Sequence, residues 1–412
     1  MASAYTMTPN PADPFSRWMA DAFDEKDAAV GVSTGFQSLF GRAEYGGQTL
    51  FSPDSNLVDI DIIRANERTA ALIPRGKISR SLGSNQKNLN VEKYTAFSRL
   101  FPLAEEEGDI TGDQILYRMA GENPYQMQTR LNRMRALGGK IHRESVRRIV
   151  RLNERLAAQS ILTGKMPAIL GTTNTDLVYD FQRDSNLVIT VANEWNSASG
   201  DPLGDIDGAC KTIREKGRAL PDMMILGTDA MDAFIKDSDV QDVADNRRFE
   251  LIEVSTGNPV PDHYSRYVEA GFIPRGRLRT PAGFSLWMFT YLDVYDDESG
   301  NPKYYMPEDE VVILNSRTRY DRYFGPPELL PLIPQRVQLY SELFGMSPMA
   351  LPMPPNMRAP GTVIDPAMFY ADAYVSGDWK KVTIRTQAAP IFATTHTDAI
   401  ATLKGLIAEE SP

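Results

Sequence analysis

The stretch Arg133–Gln159, "RMRALGGKIHRESVRRIVRLNERLAAQ", limits what this chain can fold into more than any other. Apolar residues stand at Met127, Leu131, Met134, Leu137, Ile141, Ile149, Leu152 and Leu156. Most are three or four apart, which lays one apolar stripe along a helix. The spacing predicts a helix over about 126–162, with Pro124 at its first turn, Gly164 at its stop and a bend at Gly138-Gly139. At ~1.5 Å per residue it would run roughly 55 Å. That is longer than a small domain is wide, so a flat, extended molecule is expected. The helix is also basic: nine Arg or Lys lie between Arg130 and Arg155, against Glu144 and Glu154.

The rest of the chain is not basic. The 412 residues carry a formal net charge of -10, which argues against a simple nucleic-acid binder. The single cysteine, Cys210, permits no internal disulfide and fits a reducing compartment. The opening "MASAYTMTPNPADPF" has neither a basic start nor an apolar run, so no signal peptide is expected. No apolar run approaches the roughly 18 residues that would indicate a membrane span.

Before the helix, residues 1–50 read as irregular, with a short helix at "SRWMADAFDEKDA". "SNLVDIDII" (55–63) alternates as a strand does. "TAALIPRGK" and "VEKYTAFSRLF" flank the polar tip "ISRSLGSNQKNLN" and predict a long two-stranded hairpin. A lone ribbon is marginal in water, so it must lie on something. After the helix, "LVYDFQRDSNLVITV" reads as a β-hairpin. A compact α/β unit follows, with a helix at "GDPLGDIDGACKTIREKG", a strand at "DMMILG", a helix at "TDAMDAFIKD" and strands at "GFSLWMFTYLDVY" and "EVVILNS". Leu226, Phe234 and Ile313 are its expected core. Residues 324–366 hold ten of the 28 prolines, a density that disfavours regular structure. The last segment, "KKVTIRTQAAPIFATTHTDAIATLKGL", predicts a strand, a turn and a final short helix or strand.

Nothing in the chain reads as catalytic. His142, His263 and His396 are scattered, without metal-site spacing. The "DID" pairs at Asp59–Asp61 and Asp205–Asp207 fit a strand and a helix start better than an acid–base pair. Cys210 lies within an amphipathic helix pattern, as a small buried residue does. Phosphate-binding glycine loops and a nucleophile elbow are missing. No enzyme activity, cofactor or metal is expected; a structural or binding role is favoured.

Four stretches in order carry a resemblance. They are "ERLAAQSILTGKM", "EWNSASGDPLGDI", "NPKYYMPEDEVVILNSRTRYDRYFGP" and "VTIRTQAAPIFATTHTDAIATL". Together they resemble the major capsid proteins of tailed bacteriophages, of the lambda E type. The turn Met306-Pro307-Glu308 and the run Gln387-Ala388-Ala389-Pro390 depart slightly from that pattern. The Pro-rich segment 324–366 is longer than in the family's type member.

The resemblance implies an α+β chain with the Hong Kong 97-type capsid fold. Residues 1–54 would form an N-terminal arm, 55–63 a peripheral-domain strand and 64–104 the extended loop. Residues 105–200 would hold the peripheral domain with its spine helix, 201–375 the axial domain with the insertion 324–366, and 376–412 a return to the peripheral domain. The function implied is a major capsid protein that assembles into pentamers and hexamers, closing an icosahedral head around double-stranded DNA. Its partners would be itself, non-specific packaged DNA, a scaffolding protein, a portal and a decoration protein, with no membrane. It would reside in the virion, and in the host cytoplasm during assembly.

Charge suggests where subunits meet. Arg75, Lys77, Arg80 and Lys87 lie at or near the hairpin tip, and Glu105, Glu106 and Glu107 form an acidic cluster. These seven are candidate inter-subunit contacts. The spine residues Arg133, Lys140, Arg143, Arg147, Arg148, Arg151 and Arg155 are candidates for facing a neighbour's acids or lumenal phosphates. An encapsulin-like compartment shell and a soluble nucleic-acid-binding protein are the alternative readings.

Overall fold

The computed structural model describes residues 32–52, 57–65, 92–111, 130–168, 178–245, 249–251, 260–297, 300–326, 369–375 and 381–407. In chain order the first strands are β1 (Thr49–Phe51), β2 (Leu57–Ala65), β3 (Glu92–Leu100) and β4 (Ala104–Thr111). The long helix α1 spans Arg130–Thr163 and is followed by β5 (Lys165–Pro167), β6 (Val178–Asp180) and β7 (Val188–Thr190). Next come α2 (Pro202–Lys216), β8 (Met223–Leu226), α3 (Thr228–Lys236), α4 (Ser238–Asp245), β9 (Phe249–Leu251) and α5 (Asp262–Glu269). Then follow β10 (Ile273–Arg279), β11 (Ser285–Thr290), β12 (Val294–Asp296), β13 (Pro302–Tyr304), β14 (Val311–Leu314) and β15 (Asp321–Phe324). The chain closes with β16 (Tyr370–Val375), β17 (Lys381–Ala388), β18 (Pro390–Ala393) and β19 (Ile400–Lys404).

A seven-stranded mixed sheet, in the order β7-β19-β14-β8-β11-β10-β9, divides two cores. Strand side chains alternate between faces, so the fully buried runs "MMIL" and "VVIL" serve both. Met223, Ile225, Val312 and Leu314 enter the core that also holds the end of α1. Met224, Leu226, Val311 and Ile313 enter the core covered by α2 and α3, where Phe234 and Cys210 also sit. A second sheet, β16-β17-β4, lies along the first half of α1. Gly108 of β4 allows the close approach, because a Cβ there would collide with Ile141.

The end of α1 is built from a turn and a cap. Gly164 takes φ +70°, the left-handed conformation that ends helices. The buried guanidinium of Arg183 then donates to the carbonyls of Ser160, Ile161 and Leu162, at 3.4, 2.5 and 3.1 Å. The Ser160 carbonyl also accepts from the Gly164 amide and the Leu162 carbonyl from the Thr402 hydroxyl, and all three lie at the negative end of the helix dipole.

The structure departs from the sequence expectations at several places. The expected hairpin at 177–191 is not formed by its described residues 178–191: β6 pairs with β5, and β7 pairs in parallel with β19. Gln182, at φ 56°, and the Arg183 cap turn the chain between two sheets instead. The described partner of β3 is β2, from Leu57↔Leu100 to Ala65↔Glu92, although "SNLVDIDII" reads as a separate strand. The expected partner at 69–77 and the tip between lie outside the described residues, as does 327–366 of the Pro-rich segment. The last element is a strand, β19, and it enters the seven-stranded sheet between β7 and β14. The return segment therefore splits, with β17 in one sheet and β19 in another. Of the expected arm, residues 32–52 are described. Phe36, Leu39 and Phe40 are buried in the α1 core, and β1 pairs in parallel with β15.

Candidate functional site

The candidate basic residues belong to α1, and the structure sorts them. Lys140, Arg143, Arg148 and Arg151 are exposed, while Arg147 and Arg155 are half-buried. Steps of three and four place all six on one stripe of the helix surface. Arg133 lies in the helix, but its side chain is outside the description, and Arg75, Lys77, Arg80 and Lys87 lie outside the described residues altogether. The opposite side of the first half is apolar, with Val146, Ile149 and Val150 buried beside Phe369 and Ala388. His142 is also on the buried side, against the Thr386 hydroxyl at 3.2 Å. Burial, helped by Arg143, pulls its imidazole down to about 4, so it adds no charge at neutral pH.

The acidic candidates sit on β4, and several contacts tie them to their own chain. Glu106 meets Arg148 at 3.2 Å, and Glu144 approaches the same guanidinium at 3.7 Å. Arg385 of β17 stands between Glu105 and Glu107, at 3.7 and 4.0 Å. Gln387 donates to Glu105. Lys381 closes the row on Asp109 at 2.7 Å, and its hydrogen bond, with that of Thr383, holds the Asp109 carboxyl below its ordinary value. Each surface pair adds about 1 kcal/mol or less. Their joint effect is to neutralise Arg148 but not Lys140, Arg143 or Arg151. Among the described residues Lys140, Arg143 and Arg151 make no ion pair, and Arg155 lies over the Tyr295 ring at 4.8 Å.

From Glu154 to Leu162 every residue of α1 is buried or half-buried, and here sits a residue that sequence reasoning passed over. Glu154 is 0% exposed, although it lies on the same side of the helix as the exposed arginines. Its Oε1 accepts from the Phe36 amide at 2.6 Å and the Tyr291 hydroxyl at 2.9 Å. Its Oε2 accepts from the Gln37 amide at 3.1 Å. Among the described residues no cation pairs with it, and burial pushes its carboxyl up to about 7. The one sequence signal was an acid on the arginine-rich stripe, which a solvated face explains equally well.

Other polar candidates are structural. Asp205 accepts from the Trp195 indole at 2.9 Å, and Asp207 from the Ala282 amide at 3.0 Å. Cys210 is buried, with its thiol pushed up to about 12. Among the described residues no cluster of His, Cys, Asp and Glu is placed to hold a metal ion. No described helix is long and apolar enough to cross a membrane.

A profile of the family described as phage major capsid protein E matches residues 79–404. No curated protein matches significantly. Among solved structures, a candidate capsid protein of a prophage from E. coli CFT073 superposes with TM-score 0.59 at 17% identity, covering 94% of this chain and 97% of that one. That likeness establishes the fold. The capsid of Ralstonia phage GP4 gives TM-score 0.46 at 10% identity, over 92% and 93% of the two chains. The SrpI encapsulin of Synechococcus elongatus PCC 7942 gives 0.37 at 9% identity, over 86% and 84%. The last two scores are too low to carry an argument.

Proposed function

The chain belongs to the phage major capsid protein E family, and from that membership we propose how its surfaces serve a shell. As a major capsid protein it forms the phage head shell by self-association, and its place is the virion capsid. Membership implies a structural role rather than a catalytic one. We assign the subunits to pentamers and hexamers, rings in which one surface of a subunit meets a different surface of the next. The hairpin that begins at β2 and β3, with Arg75, Lys77, Arg80 and Lys87 beyond them, is assigned to contacts with neighbours. A scaffolding protein, a portal and a decoration protein complete the proposed partners, with assembly in the host cytoplasm.

The observation that carries the reading of α1 is the exposed stripe with cations left over. Glu106 and Glu144 take up Arg148 within the same subunit. Glu105 and Glu107 lie at Arg385. The acidic row thus supports contacts inside the subunit more than pairing with a neighbour. Lys140, Arg143 and Arg151 remain exposed and unpaired among the described residues. Exposed cations along one face of a helix suit phosphates without reading sequence. We therefore turn this face to the packaged double-stranded DNA.

The triple variant K140E/R143E/R151E tests the assignment. Shells of normal size are expected. Binding of duplex DNA by disassembled subunits should lose up to about 3 units of its log–log salt slope, near 0.9 per phosphate contact. Malformed or absent shells with an unchanged salt slope would instead place the stripe against a neighbouring subunit.

A further inference from the structure

Glu154 has an environment that the shell-forming role does not require. Three donors converge on it from two other parts of the chain. The amides of Phe36 and Gln37 belong to the N-terminal segment, and the Tyr291 hydroxyl follows β11. The segment is seated beside it. The Phe36 ring packs edge-on against Phe272 and Tyr291, with centroids at 5.5 and 5.3 Å. The Gln37 side chain donates to the Val150 carbonyl at 3.0 Å, and the Thr34 amide to the Ala270 carbonyl at 3.0 Å. Glu154 is a carboxyl fully buried beneath the segment where it crosses α1.

The charged groups around it do not neutralise it. On α1, Arg151 is exposed and Arg155 lies over Tyr295. From the strands and loops packed on the helix come Tyr291, Asp293, Tyr295 and Tyr305. Burial holds the Tyr291 hydroxyl in its neutral form, and Asp293 adds to the effect. The N-terminal segment offers only amides. A carboxylate that is fully buried without a cation loses more hydration than three hydrogen bonds return.

We propose that Glu154 is a proton-operated latch for the segment Thr34–Gly41: uncharged, it keeps the segment seated on α1, and loss of its proton loosens the segment. The sign follows from linkage. The seated carboxyl titrates near 7, and one opened to water titrates near 4.5. Between those values the seated state holds a proton that the open state has lost. Each pH unit upward then favours opening about tenfold, and the effect levels off above the seated value.

The test is amide hydrogen exchange on the full-length protein from pH 5 to pH 7, corrected for intrinsic rates and read at residues 34–41. In the wild type the opening constant should rise roughly 40-fold across that window. Exchange in β8, within the seven-stranded sheet, should not follow it. Glu154→Gln cannot titrate and should remove the dependence. Tyr291→Phe keeps the carboxyl but deletes one donor to its charged form, so the levelling-off should move to higher pH. A flat wild-type profile, an equal slope in Glu154→Gln, or an unmoved profile in Tyr291→Phe would each overturn the latch. Should Glu154→Gln fail to fold, Tyr291→Phe decides.

Discussion

Two buried residues on one helix titrate in opposite senses. His142 is held near 4 against an ordinary value near 6.5. Its folded value is depressed, so its contribution is present above 6.5 and is lost as pH falls toward 4. Glu154 is raised from 4.5 to about 7, so its contribution is full below 4.5 and is lost as pH rises to 7. In the overlap the two slopes, each about 1.4 kcal/mol per pH unit at most, oppose one another. Denaturant unfolding of the wild type should therefore vary little between pH 5 and pH 6.5. His142→Gln should lose stability as pH rises there, and Glu154→Gln should gain it. Parallel profiles in both variants would refute the assignment. The Arg183 cap gives a second prediction at this scale. Arg183→Met leaves the Ile161 carbonyl without its donor, while Ser160 keeps the Gly164 amide and Leu162 the Thr402 hydroxyl, and should cost about 1–3 kcal/mol by thermal unfolding. Little of this was legible in the sequence. Glu154 and Arg183 read as ordinary surface charges, because burial is a property of neighbours and not of spacing.

At the scale of elements, α1 was legible because its period repeats over many turns. Its basic face was legible too, since exposed and buried residues of an amphipathic helix separate by sequence spacing alone. The second half was not. Ala157, Ala158 and Ile161 are buried on several sides because α1 runs into the core shared with β18 and the N-terminal segment. The misread hairpin at 177–191 has a similar cause. Two apolar runs with a polar turn predict mutual pairing, yet each run found a better edge, β5 and β19. The contact of β4 with α1 supplies a prediction here. Gly108→Val must push Ile141 and the helix away from the sheet, and should destabilise by about 1–3 kcal/mol, measured by denaturant unfolding. Arg148→Ala, which breaks only exposed ion pairs, should stay within about 1 kcal/mol of wild type.

Across the whole molecule, the two cores share one sheet, and that sheet depends on the chain's last strand. Ile400, Ala401, Thr402 and Leu403 are each 0% exposed, and β19 joins β14 to β7. Ending the chain after Ala399 would open the sheet along β14, and soluble protein should no longer be recovered from expression. Recovery of a folded, soluble truncation would show that the cores stand without it. The sequence by itself determined the long basic helix, the α/β unit with Leu226, Phe234 and Ile313 in its core, and the family pattern. Each is written in local periodicity or in motifs that keep their order along the chain. Only the tertiary structure decided that the acidic row on β4 is engaged at home. It also decided that the N-terminal segment is seated on α1 and that an acid from the basic stripe lies beneath it. These depend on contacts between residues 42 to 282 positions apart, and no local pattern encodes which partner removes a charge from water.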